Sequence, residues 1–127
     1  MIYGIGTDIL KVSRIDASYQ RFGTRLVERI LSEREQAILE QRQYPVQYLA
    51  KAYAAKEAAA KAFGTGFTQG LGFNQISVLP DGGKPTLHFH GRAAEMIAER
   101  SITRTYVSLS DEAEFAVAFV VFEAGPI

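Results

Sequence analysis

Residues 45–64 read Pro45-Val-Gln-Tyr-Leu-Ala-Lys-Ala-Tyr-Ala-Ala-Lys-Glu-Ala-Ala-Ala-Lys-Ala-Phe63-Gly64, and this stretch decides the fold. Proline is favoured in the first turn of a helix and glycine just past its end, so the spacing predicts one long helix over Val46 to Phe63. At about 100° per residue, Val46, Leu49, Tyr53, Ala60 and Phe63 define its apolar side. Lys56 falls inside that arc and Glu57 on its edge. Lys61 follows Glu57 by one turn, the order of an ordinary favourable surface pair. From this helix alone, a solvated salt bridge and a functional acid both stay open.

Before it, Ile2 to Leu10 alternates as a strand. Tyr3, Ile5, Thr7 and Ile9 share one face, and Ile2, Gly4, Gly6, Asp8 and Leu10 share the other. The two glycines leave space beside Asp8 for a ligand or for a packed neighbour. Ser13 is an expected N-cap for a helix with the apolar stripe Ile15, Tyr19 and Phe22, which Gly23 ends, and Thr24 is an expected cap for the next turn. Ser32 with Glu35 has the spacing of a capping box for a helix through Glu40.

After the long helix the pattern changes to strands. Phe73 to Leu79 and Thr86 to His90 are expected to pair across Asp81-Gly82-Gly83 and Pro85. Gly91 to Arg100 reads as a helix with Ala94, Ile97 and Ala98 inward. Thr105 to Ser110 and Glu114 to Glu123 close the chain as strands around Asp111-Glu112-Ala113. The run Phe115 to Phe122 is apolar on both faces, so both need cover, part of it from another subunit. The fold class expected is α+β: an N-terminal strand, a helical first half and antiparallel C-terminal strands, in a single domain over 1–127.

Composition bounds the function. The chain has 127 residues, 47% of them hydrophobic, and no cysteine, which excludes disulfide scaffolds and thiolate metal sites. No apolar run approaches a membrane span and no targeting pattern is present, so a soluble, cytoplasmic protein without a membrane partner is expected. Fourteen basic residues balance fourteen acidic ones, which gives nucleic-acid binding no global electrostatic support. The charge is uneven, however: residues 11–72 carry a net +4 and residues 73–127 a net −3.

Burying a carboxylate is unfavourable without a compensating cation or donors. Asp8 in an apolar strand and Glu57 on the helix edge therefore suggest a metal pair, with helix capping as the plain alternative for Asp8. Two carboxylates beside a lysine suit Mg2+, which completes its octahedron with water and phosphate oxygens. Gly64-Thr65-Gly66 follows a helix C-terminus, where the dipole disfavours phosphate, and reads as a cap. His88 and His90 have no third ligand spaced with them, and Ser108 and Ser110 have no local histidine. Arg14, Ser18, Arg21 and Arg25 recur at helical spacing, either a solvated face or a docking stripe for an acidic partner.

At these residues the chain resembles the bacterial holo-acyl-carrier-protein synthases, the small class of 4'-phosphopantetheinyl transferases. The resemblance runs in order through Gly4-Ile5-Gly6-Thr7-Asp8-Ile9 with Arg14-Ile15, and Arg29-Ile30-Leu31-Ser32 with Glu35. It continues through Ala55-Lys56-Glu57 to Gly66, Gly83-Lys84-Pro85, and Val107-Ser108-Leu109-Ser110-Asp111. It implies the 4'-phosphopantetheinyl transferase fold, a homotrimer with sites at subunit interfaces, and transfer of phosphopantetheine from coenzyme A to a serine of acyl carrier protein in lipid metabolism. By position it implies Asp8 and Glu57 as Mg2+ ligands at the coenzyme A pyrophosphate and Lys61 facing the same phosphates; for that chemistry the expected proton acceptor is Glu57 or a metal-bound water it orients. It implies the carrier's acidic helix against Arg14, Arg21 and Arg25. Two residues depart from the pattern. Tyr106 stands where many members have histidine, and Ala52 where many have arginine, with Lys51 or Arg42 as the substitute cation. A non-catalytic coenzyme A or carrier-protein binding module is the alternative in a different class; a purely structural oligomer would need neither acid.

Overall fold

The computed structural model describes residues 1–126. Its order is β1 (Ile2–Lys11), α1 (Val12–Phe22), α2 (Thr24–Ile30), α3 (Glu33–Glu40), α4 (Pro45–Phe63), a 3₁₀ turn (Phe73–Gln75), β2 (Ile76–Asp81), β3 (Lys84–Phe89), α5 (Gly91–Glu99), β4 (Ile102–Glu112) and β5 (Phe115–Ala124). The expected α+β class holds. Two antiparallel sheets form, one in the order β1-β5-β4 and the other a β2-β3 hairpin.

Alanine explains how α4 fits. Ala50, Ala52, Ala54, Ala55, Ala58, Ala59, Ala60 and Ala62 are all buried, so this helix has apolar contacts nearly all round rather than on one arc. Small side chains let it approach the sheet closely. A Cβ at Gly4 would overlap the Ala62 carbonyl oxygen and one at Gly6 the Ala58 carbonyl oxygen. The space beside Asp8 is thus filled by helix backbone, which is why β1 has no side chains there. Across β1, Gly6 pairs with Val120 and Asp8 with Ala118. Ala116, Ala118, Val120 and Phe122 of β5 face inward and are buried, and Phe122 meets Phe63 edge-on at 4.8 Å.

The opposite face of the three-stranded sheet is bare. Ile5 is 58% exposed, Ile9 66% and Phe119 45%. Both faces of β5 are apolar as expected, but this chain covers only one.

Local chemistry sets several ends as read from sequence. Ser32 and Glu35 form the capping box of α3, with Ser32 N donating to Glu35 Oε1 at 2.9 Å. Gly64 ends α4 at φ 86°, in the left-handed region. Other ends differ. β1 runs straight into α1, so the N-cap position falls on Lys11 with no side-chain cap, and the Val12 N–H donates to the Glu114 carbonyl at 2.8 Å; Ser13 lies inside the first turn. Gly23, at φ 55°, takes the N-cap place of α2 and leaves Thr24 as its first residue.

Phe73–Gln75 turns instead of extending, and β2 begins at Ile76. The hairpin turn is Gly82-Gly83, both at positive φ, which admits Pro85 to β3 opposite Pro80. On α5 the buried residues are Ala93 and Met96, with Ala94 and Ala98 exposed. The helix start is fixed by Gln75, whose side chain accepts from Ala93 N at 3.1 Å and whose carbonyl accepts from His90 N at 2.8 Å, which shifts the inward stripe one residue earlier. β4 extends through Glu112, so Asp111 and Glu112 belong to the strand and the turn lies at Ala113-Glu114.

Candidate active site

Asp8 and Glu57 come together because α4 is seated on the glycines of β1. Both carboxylates line one groove of about 690 Å³. The Asp8 side chain is 16% exposed and Glu57 is half-buried. Burial pushes the Glu57 carboxyl above its ordinary range, and the neighbouring Asp8 charge pushes it the same way, against the Tyr53 hydroxyl and Lys61. Tyr53 is raised in turn by burial and by the Glu57 charge. Burial and the adjacent Asp8 charge both disfavour the ionised Glu57, which creates a demand for a cation.

Lys61 meets part of it. Its Nζ donates to the Thr7 carbonyl at 2.8 Å and to Asp8 Oδ1 at 3.2 Å. The i, i+4 surface pair with Glu57 expected from spacing is therefore replaced by a pair across two elements, because Asp8 lies in reach on β1. Lys61 stays 52% exposed at its side chain, free to turn toward a ligand.

The groove continues along α1 and α2. Arg14, Ser18, Phe22, Arg25 and Arg29 line it, and Tyr53 and Phe73 form an aromatic wall with ring centroids 5.1 Å apart. Arg21 is not on that lining; its guanidinium lies over the Phe22 ring at 5.1 Å. The arginines expected to act as one stripe are thus divided, with Arg14 of α1 and Arg25 of α2 lining the acids' groove and Arg21 of α1 lying over Phe22 outside that lining.

Lys56 and Glu35 form a second pair, fully buried and 2.6 Å apart. Sequence spacing placed Lys56 inward and Glu35 in a capping box, but the pairing of residues 21 apart has no local signal. Lys51 and Arg42 lie on another groove, of about 720 Å³, with Lys84 and Ala52. Tyr106 donates to Glu123 Oε1 at 2.7 Å on the outer sheet face. His88 contacts Thr86, whereas His90 leaves the strand to precede α5 and contacts Ser77, so the two histidines do not converge. Ser108 and Ser110 are exposed on β4. Among the described residues no three side chains of His, Cys, Asp or Glu gather as a metal cluster; the acids here are a pair. No described helix is long and apolar enough to cross a membrane.

The model of the 4'-phosphopantetheinyl transferase superfamily matches residues 4–120. The chain is 50% identical to the holo-acyl-carrier-protein synthase of Serratia proteamaculans over 123 residues, 96% of this chain and 98% of that one. The crystal structure of the Neisseria meningitidis holo-acyl-carrier-protein synthase superposes with a TM-score of 0.93 at 43% identity, covering 97% of this chain and 99% of that chain. The synthase from Bacillus anthracis, solved in complex with CoA (3',5'-ADP), gives 0.82 at 35% identity, covering 98% and 99%. A family match across nearly the whole length, on a fold that brings Asp8 and Glu57 to one groove with Lys61 bonded to Asp8, means that the chain belongs to the 4'-phosphopantetheinyl transferase superfamily.

Proposed function

We propose that this chain, acting as one domain over 1–127, transfers the 4'-phosphopantetheine arm of coenzyme A to a serine of apo acyl carrier protein. Adenosine 3',5'-bisphosphate is the other product. The observation that carries the reading is the convergence of Asp8 and Glu57 at a groove whose remaining wall is largely basic and aromatic, with Lys61 bonded to Asp8. Relatives named holo-acyl-carrier-protein synthase support it.

Two partly buried carboxylates at one groove, with the ionised Glu57 disfavoured by burial and by the Asp8 charge, fit Mg2+, a hard ion with oxygen ligands. Asp8 and Glu57 would hold it. When bound, Mg2+ supplies charge neutralisation at the coenzyme A pyrophosphate. Phosphoryl transfer needs mainly alignment and electrostatic stabilisation from the protein. Lys61, tethered to Asp8 by a half-exposed stem, turns its ammonium to the phosphates as the leaving group gains charge. The serine hydroxyl attacks the β-phosphorus, and the Glu57 carboxylate accepts its proton. Arg14, Arg21 and Arg25 receive the acidic helix of the carrier. Lys51 or Arg42, which line one groove with Ala52, supplies the phosphate charge that Ala52 lacks.

The exposed Ile5, Ile9 and Phe119 face is the surface for assembly into a homotrimer, with sites at subunit interfaces. The setting is fatty acid biosynthesis in the cytoplasm.

Mass spectrometry of an apo carrier protein incubated with coenzyme A, Mg2+ and this protein tests the proposal. A phosphopantetheine mass increase on the carrier serine is expected, dependent on the divalent ion. Binding without any mass increase would instead identify a non-catalytic binding module.

A further inference from the structure

We propose that Lys56 is a positioning residue for Glu57: through Glu35 it sets the rotation and height of α4, and hence where the Glu57 carboxylate stands against Asp8. This rests on the reading of Asp8 and Glu57 as the site. Lys56 is fully buried and its ammonium has three acceptors for three protons. Nζ donates to the Ile30 carbonyl at 2.5 Å, Glu35 Oε1 at 2.6 Å and the Phe73 carbonyl at 3.1 Å. These come from the end of α2, the first turn of α3 and the 3₁₀ turn. Glu35 is itself fixed, accepting from Ser32 N and Oγ on one oxygen and from Val78 N of β2 at 2.9 Å on the other.

The rest of α4 explains why such a fixture matters. Its alanines set how near the helix lies to its neighbours, but a smooth surface of methyl groups resists rotation and sliding weakly. Gly4 and Gly6 hold one side of the helix by contact with Ala58 and Ala62. Lys56 is the long, directional arm on another side, one residue before Glu57. With side chains ending about 6 Å from a helix axis, a rotation of about 20° moves a carboxylate by roughly 2 Å. Misplacement of about 1 Å already costs on the order of 100-fold in rate. A buried pair is no optimum for stability, since apolar residues of similar volume often replace one without loss. Position is what the pair adds.

The experiment separates position from stability in the full-length protein. A Lys56→Met/Glu35→Leu double variant removes both charges and refills the space. Its melting temperature is expected within about 4 °C of the wild type, while kcat falls about 10- to 100-fold and KM for coenzyme A moves less than about 3-fold. Mn2+ affinity, measured by electron paramagnetic resonance without coenzyme A, is expected to weaken about 10-fold, because the two carboxylates no longer converge. A double variant of wild-type stability that keeps wild-type kcat and Mn2+ affinity overturns the proposal.

Should that variant fail to fold, the absence of native cysteine gives a second route. Lys56→Cys can be alkylated in denaturant to the S-aminoethyl form, which restores the length and charge of lysine, or to a neutral carbamidomethyl form, and then refolded. Recovery of kcat and Mn2+ binding by the aminoethyl adduct alone is expected; equal recovery by both, or by neither, overturns the proposal. Glu57→Gln is run beside them. If it retains wild-type Mn2+ affinity and turnover, the reading of the site fails, independently of what Lys56 does.

Discussion

Lys56 and Lys61 lie five residues apart on α4 and meet their carboxylates in opposite ways. Lys56 is wholly buried against Glu35, with every proton of its ammonium accepted by the protein. Lys61 reaches Asp8 from a half-exposed stem and shares its remaining hydrogen-bonding capacity with solvent. Burial draws the Lys56 ammonium pKa down and the Glu35 charge holds it up, while the three buried acceptors leave it no other partner to exchange for. The exposed pair can open at little cost. One helix thus carries an ion pair that fixes structure and another that is free to take part in binding.

The strongest break of that contrast comes from the acids themselves. Asp8→Ala and Glu57→Ala are each expected to lower transfer by about 1,000-fold or more, since on the proposed mechanism each removes a metal ligand and a charge from the reacting centre. Neither should unfold the protein in circular dichroism. Wild-type turnover in either variant would remove that carboxylate from the site.

Next come the lysines. Lys56→Ala leaves Glu35 buried without its cation and is expected to cost about 3–5 kcal/mol in urea unfolding. Lys61→Ala should cost less than about 1 kcal/mol, because its partner remains accessible to water. The order reverses for ligand binding: calorimetry should find weaker coenzyme A binding in Lys61→Ala. Equal unfolding free energies for the two variants would erase the distinction drawn here.

A smaller effect is expected at Arg21, outside the groove lining. Arg21→Glu should raise the KM for carrier protein several-fold and flatten its salt dependence, with coenzyme A affinity unchanged. Weaker coenzyme A binding with unchanged carrier KM would move Arg21 to the nucleotide site.

The smallest is a pH effect in metal-free protein. The Glu57 pKa is raised on folding, so the native state binds more protons than the unfolded chain in the window above the ordinary carboxylate range. Its contribution to stability therefore falls as pH rises through that window. Glu57→Gln should melt higher than wild type above the raised pKa, and the advantage should vanish in acid below the ordinary carboxylate range. A pH-independent difference in melting temperature would show that Glu57 is not strained by burial and Asp8.

Most of this arrangement was legible locally. Pro45 and Gly64 bound α4, Ser32 and Glu35 cap α3, and the alternation through Asp8 defines β1, because each depends on neighbours within a turn or a strand. What stayed hidden depends on distant contacts. Glu35 gives no sign of its partner at Lys56, and the spacing of Lys61 from Glu57 leaves its partner open, because spacing along a helix carries no information about a strand 53 residues earlier. The inward phase of α5 was misplaced for the same reason: Gln75, outside that helix, fixes its start. The acids were visible as residues in unsuitable surroundings, whereas their shared groove required the fold.

The seating of α4 on Gly4 and Gly6 also limits which sequences this scaffold can explore. Any side chain at either position meets helix backbone, which cannot choose another rotamer, so neither hydrophobic nor polar replacement relieves the overlap. At Gly82 the space is open and only the backbone angle, φ 58°, disfavours substitution, so asparagine or aspartate is an acceptable exchange there. In a library randomised at every position, residues 4 and 6 should return only glycine among active clones, whereas position 82 should return a short set of residues. The contact between β1 and α4 is therefore closed to variation by shape alone, whatever chemistry the site requires.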